Sequence, residues 1–444
     1  MSASQTTPPS SQAAPWTEPV SGKTLAQVSS VCFLAWVFSV YDFTLFGTLL
    51  PKIAEDFGWS TATSTEVNTW VQIGTFGVAL AVGPMIDRLG RRSALIITVL
   101  GAAIASALTG LAGGFLTVIL IRSFAGFGYS EEVVNGVYLN EIYGKARSRG
   151  FLYAFVQSGW PVGALLSAGL TALFLPIVGW RWCFVIAAIP SVLVAILATR
   201  LPESPAFLAL REARRCKAEG NIERAQRIAR EANIEVEHAS LRELFTPSLR
   251  VHTIALSLAW LFNWMAIQVF SVLGTTVLTG GKGVSFDSAL MVLVLANATA
   301  FAGYLFHGWV GDRFRRRPTI IVGWLVGSVI TAAMLLGPDT GVYVIPLYAL
   351  SLFFLTGPYS ALLFYMGESF PAHVRGIGPN VAHVMGPLGA VVGSAVVAGM
   401  LNNGADLITA ALVAGSLSLL LSGIAMLFTR HVDQHDHLPA ESQA

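Results

Sequence analysis

The segment Gly83-Pro-Met-Ile-Asp-Arg-Leu-Gly-Arg-Arg92 lies between two long apolar runs, and a worn copy returns at Gly308-Trp-Val-Gly-Asp-Arg-Phe-Arg-Arg-Arg317, 225 positions later. A charged box repeated at half the chain length, flanked on both occasions by apolar runs, restricts the fold to two related halves in a membrane. The apolar runs between the charged segments are roughly 20 residues long, enough to cross a hydrocarbon core of about 30 Å as a helix. Unpaired backbone groups are too costly in lipid for isolated strands, so the runs must be helical. Composition agrees: 12% of residues are charged and 54% hydrophobic, with mean hydropathy +0.65, where a soluble domain carries about a quarter charged residues.

The reading places twelve spans, at 29–52, 65–86, 93–113, 116–140, 150–175, 183–200, 252–279, 286–307, 318–337, 341–366, 377–401 and 406–428. The expected architecture is an all-α membrane protein with two six-helix bundles, 29–200 and 252–428, related by a pseudo-two-fold axis. Residues 1–28 read as a disordered cytoplasmic N-terminus, 201–251 as a cytoplasmic linker of short amphipathic helices and 429–444 as a cytoplasmic tail. All of the 27 Lys and Arg residues except Lys52, Arg122, Arg181 and Lys282 fall on the side that carries the termini. The positive-inside rule therefore predicts cytoplasmic termini and a plasma membrane, or inner membrane, location. Residues 1–25 lack a basic segment followed by an apolar core, so no cleaved signal is expected.

A net charge of +2 argues against nucleic acid as a partner. The three cysteines have no spacing that suggests a disulfide framework or a metal site, and no metal or cofactor is expected. Neither a phosphate-binding loop nor a nucleophile–base constellation is found, which argues against ATP-driven work and against an enzyme. A second echo supports duplication. Glu141 to Arg149-Gly150 follows span four, and Glu368 to Arg375-Gly376 follows span ten, at offsets of 227 and 226.

Gly83-x-x-x-Asp87-Arg88-x-Gly90-Arg91-Arg92 resembles the signature loop of the major facilitator superfamily, and the similarity extends over essentially all twelve spans. The second copy has Arg315 where Gly90 stands, so its turn is not required to keep the same geometry. Arg122-x-x-x-Gly126-x-Gly128, Gly179-Trp-Arg-Trp182, Pro202-Glu-Ser-Pro205 and Pro371-x-x-x-Arg375-Gly376 resemble landmarks of the sugar-porter and metabolite–proton symporter branches. Tyr41-Asp-Phe-Thr-Leu-Phe-Gly47 is similar to the first-helix motif of metabolite–proton symporters, and Arg122 followed by a Glu resembles sialate carriers too. The resemblance implies secondary transport by alternating access, driven by a proton gradient without a cofactor. It also implies that Asp42 and Arg122 form the proton-coupling pair.

Ionisable groups deep in a membrane mark function. Asp42 lies roughly 15 Å, and Arg122 roughly 9 Å, from the outer ends of their helices at 1.5 Å per residue. Desolvation favours the protonated acid and a neighbouring guanidinium opposes it, so a change of exposure can move the proton. A static ion pair that fixes packing is the alternative. Glu131 and Glu132 sit in the middle of span four about 100° apart; either can be a second proton carrier, a ligand contact or a structural hydrogen-bond acceptor. Trp260, Asn263, Trp264 and Gln268 share one face of span seven, suited to a small polar or aromatic ligand. Tyr41, Gln157, Trp160, Asn297, Tyr359, Asn380 and His383 complete the candidate binding set, although each also suits helix packing, His383 above all. The gating set is Gly83, Asp87, Arg88, Gly90, Arg91, Arg92, Glu141 and Arg149 in the first half, and Gly308, Asp312, Arg313, Glu368 and Arg375 in the second. Asp87 is expected to meet the positive end of a helix from the other half.

The resulting expectation is a monomeric proton symporter of a small organic or aromatic carboxylate, in contact only with substrate, protons and lipid. A sugar or polyol symporter is the first alternative. A drug–proton antiporter or a non-transporting nutrient sensor follows, the short tail and the sequence of span five speaking against these last two.

Overall fold

In the computed structural model, residues 20–143, 149–232, 241–371, 374 and 377–432 are described. Among the described residues, ten helical stretches are long and apolar enough to cross a membrane. One of them, Phe155–Ala198, reverses at Gly179 (φ 75°, ψ 169°) and so counts as spans five and six. The broken run from Phe115–Ser123 through Gly126–Tyr129 to Glu131–Tyr143 supplies span four, giving twelve.

Caps set the ends. Ser21 and Ser60 accept the third backbone N–H of span one (Gly22–Phe57) and span two (Thr61–Leu89), at 3.2 and 3.1 Å. Gly58, left-handed at φ 68°, closes span one by donating to the Ala54 carbonyl. Span one is thus longer than the apolar run alone suggests. Spans two and three (Arg91–Thr109) turn at Gly90, φ 100°. Spans eight (Phe286–Phe314) and nine (Arg316–Leu336) turn at Arg315, φ 150°. The lost glycine has not changed the sign of φ, contrary to the freedom expected there; Arg315 carries a strain of about 1–3 kcal/mol instead.

Span seven is α-helical over Arg250–Ile267 and then widens into π-turns at Gln268–Val272 and Val277–Gly281. Span ten (Gly341–Ser369) breaks at Gly357-Pro358, where proline has no N–H to continue the ladder. Span eleven (Gly378–Asn402) is interrupted at Val384, and span twelve is Leu407–Met426. Two linker helices, Pro205–Ala218 and Ile222–Glu231, pack through Ala209, Ala213, Cys216, Ala225 and Ile228, and a 3-10 turn follows at Leu241–Phe245.

The bundles meet tightly in the half remote from the termini, called here the far half. Thr275 of span seven donates to the Gly47 and Thr48 carbonyls of span one, both at 3.0 Å. Asn68 and Thr69 of span two donate to Ser394 of span eleven at 2.9 Å each. Nearer the termini the bundles are joined by Tyr153 against Phe364, with ring centroids 6.4 Å apart, and by Glu132 with His383.

Candidate functional site

The helix interruptions lie around the centre, where an aromatic cluster crosses from bundle to bundle. Trp36, Phe43, Tyr129 and Trp160 belong to the first bundle, and Trp260, Trp264, Tyr304 and Tyr359 to the second. Trp264 meets Tyr129 and Trp160 edge-on at 5.1 and 5.5 Å. A narrow cavity among them is lined by Trp36, Glu132, Gln157, Trp160, Trp264, Ile267, Tyr304, Thr356 and Tyr359. It draws on spans one, four, five, seven, eight and ten, which is why no single helix face revealed it.

The wall is rich in donors. The indole Nε1 atoms of Trp36, Trp160 and Trp264 are buried without a hydrogen-bond partner, and so are Trp260 Nε1, Tyr129 Oη and Asn263 Nδ2 around them. An indole can donate but cannot accept. Asn263 Oδ1 is taken by Tyr359 Oη at 2.7 Å, which fixes the amide so that Nδ2 is the atom left over. Tyr129 Oη, Trp260 Nε1 and Trp264 Nε1 converge on Gly386, each within 2.8–3.0 Å of where a β-carbon would stand. A residue with a side chain would push this wall apart.

Of the expected binding residues, the structure brings Gln157, Trp160, Trp264 and Tyr359 to the cavity, with Trp260, Asn263 and His383 directly behind them. Gln157 Nε2 donates to Tyr153 Oη at 3.1 Å. Four of the expected residues stand away from this cavity. Tyr41 is buried inside the first bundle with Leu45, Phe46 and Phe184, because it lies on the opposite side of span one from Trp36 and Phe43. Asn297 donates to the Leu293 carbonyl of its own helix at 2.9 Å and is absent from the wall. Asn380 is exposed near the terminal end of span eleven. Gln268 is fully buried in the π-turn with both amide atoms unpartnered, outside the cavity lining. Trp36, Ile267, Tyr304 and Thr356 were missed; their aromatic and apolar side chains look like packing residues in sequence.

Three buried acids have three environments. Asp42 receives Arg122 Nη1 on both oxygens, at 3.0 and 3.2 Å, while Arg122 Nη2 donates to the Asp42 carbonyl at 3.1 Å. The guanidinium lies over the Phe46 and Phe184 rings at 5.4 and 5.3 Å, so the pair is sealed inside the first bundle. Glu131 accepts from Ser39 and from Asn135 Nδ2, the latter at 2.7 Å, and faces span one. Glu132 is the acidic member of the cavity wall, and its Oε2 lies 3.0 Å from His383 Nε2.

Near the termini, the two echoes become two matching ion-pair clusters. Arg91 grips Glu141 through Nε and Nη2, at 2.7–3.0 Å, and Ser204 also donates to Glu141. Glu203 accepts the backbone N–H groups of Arg91 and Arg92, at 2.9 and 3.1 Å, at the start of span three. Arg92 Nη1 donates to the Leu201 carbonyl at 3.3 Å. In the second half Arg316, the counterpart of Arg91, joins Glu368 and reaches Asp312 at 3.0 Å. A β-carbon on Gly308 would stand 3.4 Å from Ser360 Oγ, in ordinary contact. Arg88 and Arg313 are exposed. Sequence reading missed Glu203, Ser204 and Arg316, although the Pro202-Glu-Ser-Pro205 segment and the 225-residue offset pointed to them. The side chains of Gly83, Asp87 and Arg149, and Arg375 altogether, lie outside the described residues.

Two helical bundles closing over a buried, donor-lined chamber define a multi-pass membrane carrier. The Major Facilitator Superfamily model matches residues 32–394, and the chain belongs to that family of transporters. It is therefore not an enzyme. The chain is 26% identical to the niacin transporter of Acinetobacter baylyi, covering 83% of this chain and 85% of that protein. It is also 26% identical to the gallate transporter of Pseudomonas putida, over 85% and 86%. A probable 4-methylmuconolactone transporter of Cupriavidus pinatubonensis is 25% identical, over 82% of each. Among solved structures, the inward-open xylose transporter XylE of E. coli superposes with a TM-score of 0.70 at 17% identity, covering 92% and 97%. The twelve-helix, two-bundle fold is shared with it.

Proposed function

We propose that this carrier takes up a small aromatic or organic carboxylate together with protons, across a plasma membrane (the inner membrane in a bacterium) with both termini in the cytoplasm. The observation that carries the reading is the wall of unpartnered indole and amide donors at the cavity. Such donors are expensive to leave buried and are satisfied by an acceptor-bearing ligand. A carboxylate offers acceptors only, and an aromatic ring can stack among Trp36, Trp160 and Trp264. Relatives named as carriers of niacin and gallate support the class of substrate.

The buried Asp42–Arg122 pair supports a proton-coupling role. Its carboxylate, sealed at 2% exposure, can be discharged only by a proton or by the guanidinium. Opening the bundle to one side changes that competition and links proton release to conformation. The Arg91–Glu141 and Arg316–Glu368 clusters would latch helices near the cytoplasmic side and gate the rocking of the bundles.

The test is uptake of labelled nicotinate, gallate and xylose in cells lacking their own carriers, with and without a pH gradient. Accumulation of a carboxylate with the gradient, and not of xylose, is expected; xylose accumulation alone would overturn the substrate class. Asp42→Asn should abolish gradient-driven accumulation while exchange persists, and full accumulation by that variant would remove Asp42 from the coupling.

A further inference from the structure

Glu132 and His383 belong to different bundles, span four and span eleven, and their 3.0 Å contact joins the bundles beside the cavity. Their side chains are 7% and 12% exposed. His383 also rests on Trp260, ring to ring at 5.3 Å, which ties it to the donor wall. The other titratable groups that face Glu132 are phenols: Tyr129 from its own span, Tyr153 from span five, Tyr304 from span eight and Tyr359 from span ten. Spans one and seven present Trp36 and Trp264, which do not titrate. Arg122 is committed to Asp42, and Glu131 is turned towards Ser39 and Asn135. Among the described residues, His383 is the basic side chain in contact with Glu132.

A ligand carboxylate entering this cavity meets Glu132. Two carboxylates about 4 Å apart at an effective dielectric near 20 repel by a factor of roughly a thousand in affinity. One of them must then be neutral, while the imidazolium needs an anion. We propose that Glu132 and His383 are where proton and substrate are exchanged: the substrate carboxylate replaces Glu132 on His383, and Glu132 takes a proton from solution. The balance closes. Before binding, Glu132 and His383 hold one titratable proton between them; afterwards they hold two, and the pair's net +1 meets the ligand's −1. One proton thus enters with each carboxylate, and the tie between the bundles is released in the same step. This assignment rests on the carboxylate-carrier reading and deepens it.

The experiment is calorimetric titration of the purified full-length protein with nicotinate and benzoate, and with benzamide as an uncharged probe. Each titration is run in buffers of different ionisation enthalpy, so that protons taken up per ligand are counted. The wild type should take up close to one proton with each acid and none with benzamide. Glu132→Gln should still bind the acids, the unpaired imidazole of His383 then taking up the proton, whereas the double variant Glu132→Gln/His383→Gln should bind them weakly and with no proton uptake. His383→Gln should weaken the acids about tenfold to a hundredfold, as expected for loss of a charge-assisted bond, with benzamide unchanged. Proton uptake that survives in the double variant, or equal losses for acid and amide in His383→Gln, overturns the exchange pair while leaving the carboxylate reading intact. A wild type that binds neither acid overturns that reading and the pair with it.

Discussion

Closure of the far half depends on one missing side chain. A β-carbon on Gly47 would stand 2.0 Å from the Val272 carbonyl oxygen, 2.7 Å from its carbon and 2.8 Å from Val272 Cγ1. The first distance is roughly 1.4 Å short of ordinary contact, and backbone at a π-turn cannot swing aside as a flexible side chain would. Gly47→Ala therefore forces spans one and seven apart and stretches the two Thr275 hydrogen bonds. Overpacking costs about 1–3 kcal/mol, and membrane hydrogen bonds average about 0.6 kcal/mol each. The closed state should lose about 2–4 kcal/mol, a fall of roughly 30- to 1000-fold in its population relative to the open one. Spin labels at Thr61→Cys and Asn403→Cys, on the far ends of spans two and eleven, report the change once Cys32, Cys183 and Cys216 are replaced. The variant should show a longer distance component and slower turnover. An unchanged distance distribution with normal turnover would refute the view that this backbone contact seals the far half.

Arg122→Met leaves Asp42 buried and uncompensated, and should cost about 3–5 kcal/mol in thermal or denaturant unfolding. The double variant Asp42→Leu/Arg122→Met should recover most of that, and simply additive losses would contradict an isolated, mutually compensating pair. Arg91→Ala strands the partly buried Glu141 and should destabilise by about 1–3 kcal/mol. Arg88→Ala, at an exposed position, should stay within about 0.5 kcal/mol of the wild type yet slow turnover; equal destabilisation by the two would contradict the division between latch and surface. Gly386→Ala, crowding Tyr129, Trp260 and Trp264, should weaken carboxylate binding about tenfold through overpacking of the wall, and lower the melting temperature as well. Unchanged affinity in a thermal-shift titration would remove this wall from the site.

The twelve crossings and their grouping into halves were legible because burial in lipid is one-dimensional: an apolar run long enough to span declares itself without reference to its neighbours. The Asp42–Arg122 pair was legible for the same reason, since a charge inside such a run must find a partner. Span boundaries slipped where caps such as Ser21 and Gly58 carry helix beyond the apolar run. Span four escaped as a broken helix because its interruptions depend on close approach to span two, where a β-carbon on Gly126 would meet the Thr75 carbonyl at 2.7 Å.

The central cavity was only half legible. Helical spacing put Trp264 on one face with Trp260 and Asn263, but the cavity is assembled from six spans, and Trp36 or Tyr304 carries no mark that separates lining from packing. The direction in which Glu131 and Glu132 point was undecidable from adjacency alone; the rotation of span four sends one to Ser39 and the other across the bundle boundary to His383. The chain by itself determined what must leave water, because transfer free energy is a property of each segment. Only the tertiary structure decided which polar groups find each other, because that depends on the relative rotation and depth of helices that are hundreds of residues apart in sequence.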